Sequence, residues 1–296
     1  MKDVDLKAPS IAPTLPTLER EMFEPRALKN GLLTGLTWFA AIVASVPLFS
    51  VIFMLIMEGG SRLDWEALTE LPPTAFETGG GFGNAILGTL VMVGIASLIS
   101  VPIGLLAAVY MSILGPTSKL SITARFLSKT LTGFPSILAG VFTYSVLVIT
   151  FGYSALAGGI ALSVLMLPTV VLAAEEAMRQ VPQRMKDAAF GMGCTRTQVI
   201  MKVVLPTGLP GIITGVLLAV AGAAGESAPL LFTALFSNYY LSEVMEPTAS
   251  LSILIYNFSA MPFDNQIQLA WAASLTLVLI VLVINILARL IGQPKV

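Results

Sequence analysis

Few residues in this chain suit catalysis, and their types exclude more than they permit. There is no histidine and a single cysteine, Cys194. That removes Ser-His-Asp catalysis, most zinc sites, the usual pH switch and any intramolecular disulfide. Carboxylates remain. Glu175 and Glu176 are adjacent at the end of an apolar run and read as a solvated helix end. Glu226 is the only acid well inside an apolar stretch. A charge at mid-bilayer costs roughly 2.5–3.5 kcal/mol on insertion scales, so such an acid serves function or helix pairing. At about 100° per residue, Gly215, Ala219, Gly222 and Glu226 share one helix face. Small residues on that face allow close helix approach and aim Glu226 into a bundle. Ser227 and Pro229 accompany it as candidate pathway or gating residues. No catalytic or metal site is expected.

The second informative stretch runs from Glu175 to Pro206 and reads as two short helices at an angle. Pro182 suits a first helical turn. Met185, Ala188, Ala189 and Met192 then form one apolar face. Gly193 is placed to end that helix in a left-handed cap. Thr195 with Gln198 makes a capping box for the next helix, whose apolar face is Val199, Ile200, Val203 and Val204. Asp187 to Ala189 and Val199 to Val204 are the expected contact faces, and Pro206 begins the next apolar run.

The elements that must position these residues are membrane helices. Of 296 residues, 56% are hydrophobic and only 11% charged, and the mean hydropathy is +0.88. A soluble domain carries about a quarter of its residues as charges, so this surface faces lipid. A net charge of −1 offers no field for nucleic acid. A bilayer core needs about 20 apolar residues in a helix. Six stretches qualify: 32–57, 85–113, 132–151, 155–174, 207–235 and 267–291, the third and fourth meeting at a tight turn, Phe151 to Ser154. The expected fold is all-α, a polytopic bundle of six transmembrane helices. The chain divides into a disordered tail (1–28), a first transmembrane helix with an external loop (29–83), and a core (84–291) that includes loop 175–206. In this topology 15 of the 16 lysines and arginines lie on one side, and only Arg62 lies opposite. By the positive-inside rule both termini and the 175–206 loop are cytoplasmic. Loop 236–266 is then external, with an apolar 249–258 stretch too short to span.

The 175–206 loop resembles the EAA motif of binding-protein-dependent ABC importers. The matching residues are Asp187, Ala188, Ala189, Gly193, Val203, Leu205 and Pro206, with Asp for Glu and Val for Ile as conservative departures. The segment Gly225-Glu226-Ser227-Ala228-Pro229-Leu230-Leu231 is similar to the signature of phosphate-specific ABC permeases of PstA type. Gly133 to Ile137, Gln268 to Ala272 and Asn285 to Arg289 match the same family. The resemblance covers roughly residues 84–291. It implies a type I importer permease fold whose cytoplasmic coupling helix docks on an ATPase. It also implies a homologous phosphate permease subunit, an ATPase subunit dimer and an external phosphate-binding protein as partners, in an inner membrane whose lipid surrounds them.

The chain has no Gly-x-x-x-x-Gly-Lys-[Ser/Thr] phosphate loop. ATP and Mg therefore belong to the partner ATPase, and this chain binds no cofactor. One departure concerns the substrate. Relatives commonly carry an arginine one turn before the glutamate, where this chain has Gly222. A sulfate or molybdate permease is the alternative within the class. An ATP-independent secondary transporter or channel is the alternative outside it, and it would call for inverted repeats that the sequence lacks.

Overall fold

Runs of leucine, valine, isoleucine and alanine give helix over most of the chain, and glycine, proline and serine mark where helices stop. The computed structural model describes residues 25–291 and contains no strand among them. The expected tail lies mostly outside the described residues, and its last part is helical from Pro25. The chain divides into two compact units between Phe53 and Met54. In the first, α1 (Pro25–Met54) carries apolar residues on every face, among them Leu32, Leu36, Trp38 and Phe49. A helix apolar all round suits lipid.

The second unit opens on a π-helical turn, Leu55–Gly59, followed by α2 (Trp65–Thr69) and α3 (Gly83–Val109). Next come α4 (Lys119–Thr132), α5 (Ser136–Thr143), which runs through Tyr144–Val148 into α6 (Ile149–Phe151), and α7 (Ala155–Arg179). Then follow α8 (Gln183–Gly191), α9 (Arg196–Val199), a π-helical turn Ile200–Val204, and α10 (Leu205–Gly225). The last three are α11 (Ala228–Leu231), α12 (Leu251–Ser259) and α13 (Asp264–Ile291). Five helical stretches are long and apolar enough to cross a membrane, and α4 with α5–α6, bent by 106°, makes a sixth if counted as one.

The core of this unit forms three layers along α3. Ala85 packs with Phe82, Leu251, Leu254 and Leu269 in the first. Met92 and Ala96 pack with Leu162, Met166, Leu230 and Ile253 in the second. Ala108 packs with Met178, Val181, Val199 and Ile212 in the third. Small residues make this packing possible. A Cβ on Gly104 would lie 2.6 Å from Val170 Cγ1, and one on Gly215 would lie 2.3 Å from Ala173 Cβ. Helices in lipid associate through such close approach, because apolar burial alone gives them no driving force.

The structure departs from the sequence reading in four places. Residues 54–83 belong with the core, since Ala67 and Phe82 are buried in its first layer. The third apolar stretch starts at Ser136, and the preceding α4 is a separate amphipathic helix. The fifth ends at Gly225, well before residue 235. Pro229 has no amide to donate to the Gly225 carbonyl and its ring would clash with that carbonyl, and Gly222 and Gly225 weaken the last turn. The apolar 249–258 stretch, expected as part of an external loop, is α12 and belongs to the bundle core. Its Leu251, Ile253 and Leu254 are buried, and Ser250 caps it by accepting from the Ile253 amide at 3.1 Å. The turn after α6 is as expected. Gly152 has φ +86° there, and Ser154 caps α7 by accepting from the Ala157 amide at 3.1 Å.

Candidate functional site

The singled-out residues fall into two places. The first is the 183–206 loop. Pro182 is the N-cap of α8, one residue earlier than expected, and Asp187 accepts from Gln183 Nε2 at 2.9 Å on the exposed side. The helix ends as the amides of Gly193 and Cys194 donate back to the Phe190 and Ala189 carbonyls. Gly193 sits at φ +84°, a conformation that costs a side-chain-bearing residue roughly 1–2 kcal/mol. The Thr195 amide then donates to Gln198 Oε1 at 2.8 Å, and the Gln198 amide donates to Thr195 Oγ1 at 3.3 Å. This is a reciprocal capping box.

The faces of this loop differ from the sequence reading. Ala189, Val199, Ile200 and Val204 are buried in the third core layer or beside it, so the Val199–Val204 face holds the loop to its own bundle. Val203 and Leu205 are half-buried, and Pro206 is exposed in the first turn of α10. Asp187, Ala188, Met185, Phe190 and Met192 remain exposed, and Met192 is the most open of them at 79%. Opposite buried Ala189, α8 presents Arg184 and Asp187, flanked by exposed Ala188 and Phe190.

The second place is a cavity of about 290 Å³. It is lined by Thr132, Phe134 and Ser136 at the α4–α5 bend, by Met166 and Thr169 of α7, and by Leu218, Gly222 and Glu226 of α10. Glu226 is not in a helical turn. It caps α10 with φ −76° and ψ 122°, half-buried, so the expected uninterrupted helix face ends at Gly225. Its backbone carbonyl accepts from Ser252 Oγ at 3.0 Å, which joins the break to the start of α12. Ser227 opens α11 and Pro229 is buried in it. The break is held against α5: a Cβ on Gly140 would meet Pro229 Cα at 2.7 Å. Gly222 lines the cavity one turn from Glu226, and no lysine or arginine lines it.

Glu175 is where the sequence reading fails outright. It is 3% exposed rather than solvated, and it is held by a residue 50 positions away. Arg125 Nε donates to its two oxygens at 3.0 and 3.2 Å, and Arg125 Nη2 donates to Oε1. Arg179 Nη1 lies 3.7 Å from the same carboxylate. The sequence does carry a faint signal for this pair. Ser121, Arg125 and Ser128 recur at helical spacing on the side of α4 turned inward, opposite exposed Leu120, Ile122 and Phe126.

A family profile described as "Binding-protein-dependent transport system inner membrane component" matches residues 100–294. The phosphate transport system permease protein PstA of Haemophilus influenzae is 40% identical over 272 residues, which is 91% of this chain and 96% of that protein. The PstA of Pasteurella multocida is 38% identical, covering 92% of this chain and 98% of that one. Among solved structures, a chain of a bacterial alginate ABC transporter aligns with TM-score 0.64 and 16% identity over 93% of this chain and all of that one. A chain of the MetNI methionine ABC transporter aligns with TM-score 0.57 and 19% identity over 71% of this chain and 94% of that one. The bent and interrupted bundle is thus the importer permease fold, and the chain belongs to the family of binding-protein-dependent transport system inner membrane components.

Proposed function

We propose that this chain is the permease subunit of an ATP-driven phosphate importer and forms half of its translocation pathway. The observation that carries this reading is the α8–α9 loop, joined to near full-length similarity to PstA permeases. The loop's exposed Asp187, Ala188 and Met192 and its left-handed Gly193 present a small, capped surface suited to a groove of a separate ATPase. ATP and Mg bind on that ATPase, consistent with the missing phosphate loop. The charge asymmetry supports cytoplasmic termini in an inner membrane. A homologous permease completes the pathway, and an external phosphate-binding protein delivers the substrate.

In this reading Glu226 gates the pathway. Its carboxylate has no cationic partner among the described residues. Ser227 and Pro229 shape the break that presents it, and with no cation lining this cavity either the partner permease supplies one or the pathway holds no tight anion site. Radiolabelled phosphate uptake by the reconstituted complex, challenged with sulfate and molybdate, tests the substrate. Competition by sulfate as strong as by unlabelled phosphate would overturn the phosphate assignment. Glu226→Gln is expected to lower uptake while the complex still assembles, and unchanged uptake would remove the gating role.

A further inference from the structure

The buried Arg125–Glu175 pair sits between the two candidate regions, and neither region accounts for it. Glu175 lies one turn before Arg179, where α7 gives way to the α8 loop. Arg125 is midway along α4, whose last residues, Leu131 and Thr132, line the Glu226 cavity before the chain bends by 106° into α5. The contact is two-pronged, with the guanidinium edge laid along the carboxylate. Such a fork fixes direction as well as distance, which a lysine does not do. It is also well shielded, with 4% of the Glu175 side chain and 22% of the Arg125 side chain exposed. Arg179, the other cation near Glu175, is more than half exposed and only at the edge of contact. The outward face of α4 mixes Leu120, Ile122 and Phe126 with exposed Lys119, Thr123 and Lys129, and on the inward side this pair is the charged tie between α4 and α7.

We infer that Arg125 and Glu175 act as a strut that transmits displacement of the α8 loop, through the end of α7, to the α4–α5 bend beside Glu226. They are positioning residues, and the inference rests on the reading of α8 as the ATPase dock. Salt-bridged links between rigid helices are one physical form in which coupling between distant sites is carried. The pair contributes the directional link and the surrounding small residues contribute the packing. Removing the fork while keeping the volume should therefore separate ATP hydrolysis from transport.

The test uses the complete reconstituted complex with its ATPase and binding protein, and reads phosphate accumulated per ATP hydrolysed. Glu175→Gln, and the paired apolar replacement Arg125→Met with Glu175→Met, are expected to assemble and hydrolyse ATP. Their uptake per ATP is expected to fall by about tenfold, within the usual span of coupling between sites. Arg125→Lys keeps the charge without the fork and should fall between these and the parent. The apolar pair guards against a buried lone charge that merely unfolds the protein. Unchanged uptake per ATP in both assembled variants overturns the strut. So does a loss of uptake that only tracks loss of assembled complex. If the unmodified chain does not co-purify with the ATPase, the docking reading itself fails, and that result is distinct from either.

Discussion

The loop between α7 and α10 and the break after α10 both interrupt apolar helices, and they are held in different ways. The loop is built from near neighbours. Its cap bonds span three to five residues, with Gly193 at positive φ and Thr195 exchanging hydrogen bonds with Gln198. The break at Glu226 has no comparable local device. No side chain caps it; its one local end bond, from the Glu226 amide to the Ala223 carbonyl, is long at 3.3 Å, and further contacts come from far along the chain. Ser252 donates to the Glu226 carbonyl, and Gly140 admits Pro229. A locally written interruption keeps its shape while the bundle around it moves, which suits the docking role proposed for it. An interruption held by tertiary contacts changes when those contacts change, which suits the gating role proposed for Glu226.

The largest expected effect breaks the second kind. In Gly140→Leu the new Cβ meets Pro229 backbone 2.7 Å away, which cannot swing aside as a side chain can. Overpacking of this sort costs about 1–3 kcal/mol, and the upper end is expected where the neighbour is backbone. Gly191→Leu is the control, since its added Cβ meets nothing within 4 Å. Thermal midpoints in detergent, compared across parent and variants, should drop clearly for Gly140→Leu alone. Equal drops would mean that the break is not pinned by α5.

The same division explains what was legible in the sequence. Membrane helices and the capped loop follow from composition and from motifs a few residues long. Glu226 stands out as the lone intramembrane acid, yet the apolar pattern extends its helix to 235, ten residues beyond its end at Gly225. The run 228–235 is apolar but for Thr233, and periodicity alone does not separate a buried turn from a helix. Glu175 was misplaced for a related reason. Its environment is set by Arg125, and a carboxylate at a helix end looks solvated until its distant partner is known. The small polar stripe Ser121, Arg125, Ser128 was visible, but an amphipathic helix with its apolar side outward contradicts the habits of soluble proteins.

A smaller effect sharpens the first kind. Thr195→Ala removes one half of the capping box, and loss of an N-cap costs about 1 kcal/mol. The expected outcome is faster amide exchange at Gln198, confined to α9, with the cavity residues unaffected. Exchange that rises equally in α10 and α12 would show that the loop is not independent of the bundle.

The smallest effect applies the same logic on the opposite side. Asp64 caps α2 by accepting from the Ala67 amide at 2.7 Å, and Arg62 donates to it at 2.6 Å. The Ala67 amide first, with Arg62 adding to it, holds this carboxyl below its ordinary value of 3.8 despite slight burial acting the other way. A lowered native pKa means that the charged form stabilises the fold. Its contribution is fully present above pH 3.8 and is lost as pH falls from there through the lowered value. Protection of the Ala67 amide, corrected for intrinsic exchange, should therefore be flat above this range. Below it, protection should fall toward that of Asp64→Ala, which lacks the cap at every pH. The side chain is half exposed, so the change should stay within α2 and leave the unfolding midpoint of the bundle in place. A midpoint that moved with this one carboxylate would place α2 among the tertiary-held elements, alongside the break at Glu226 rather than the loop.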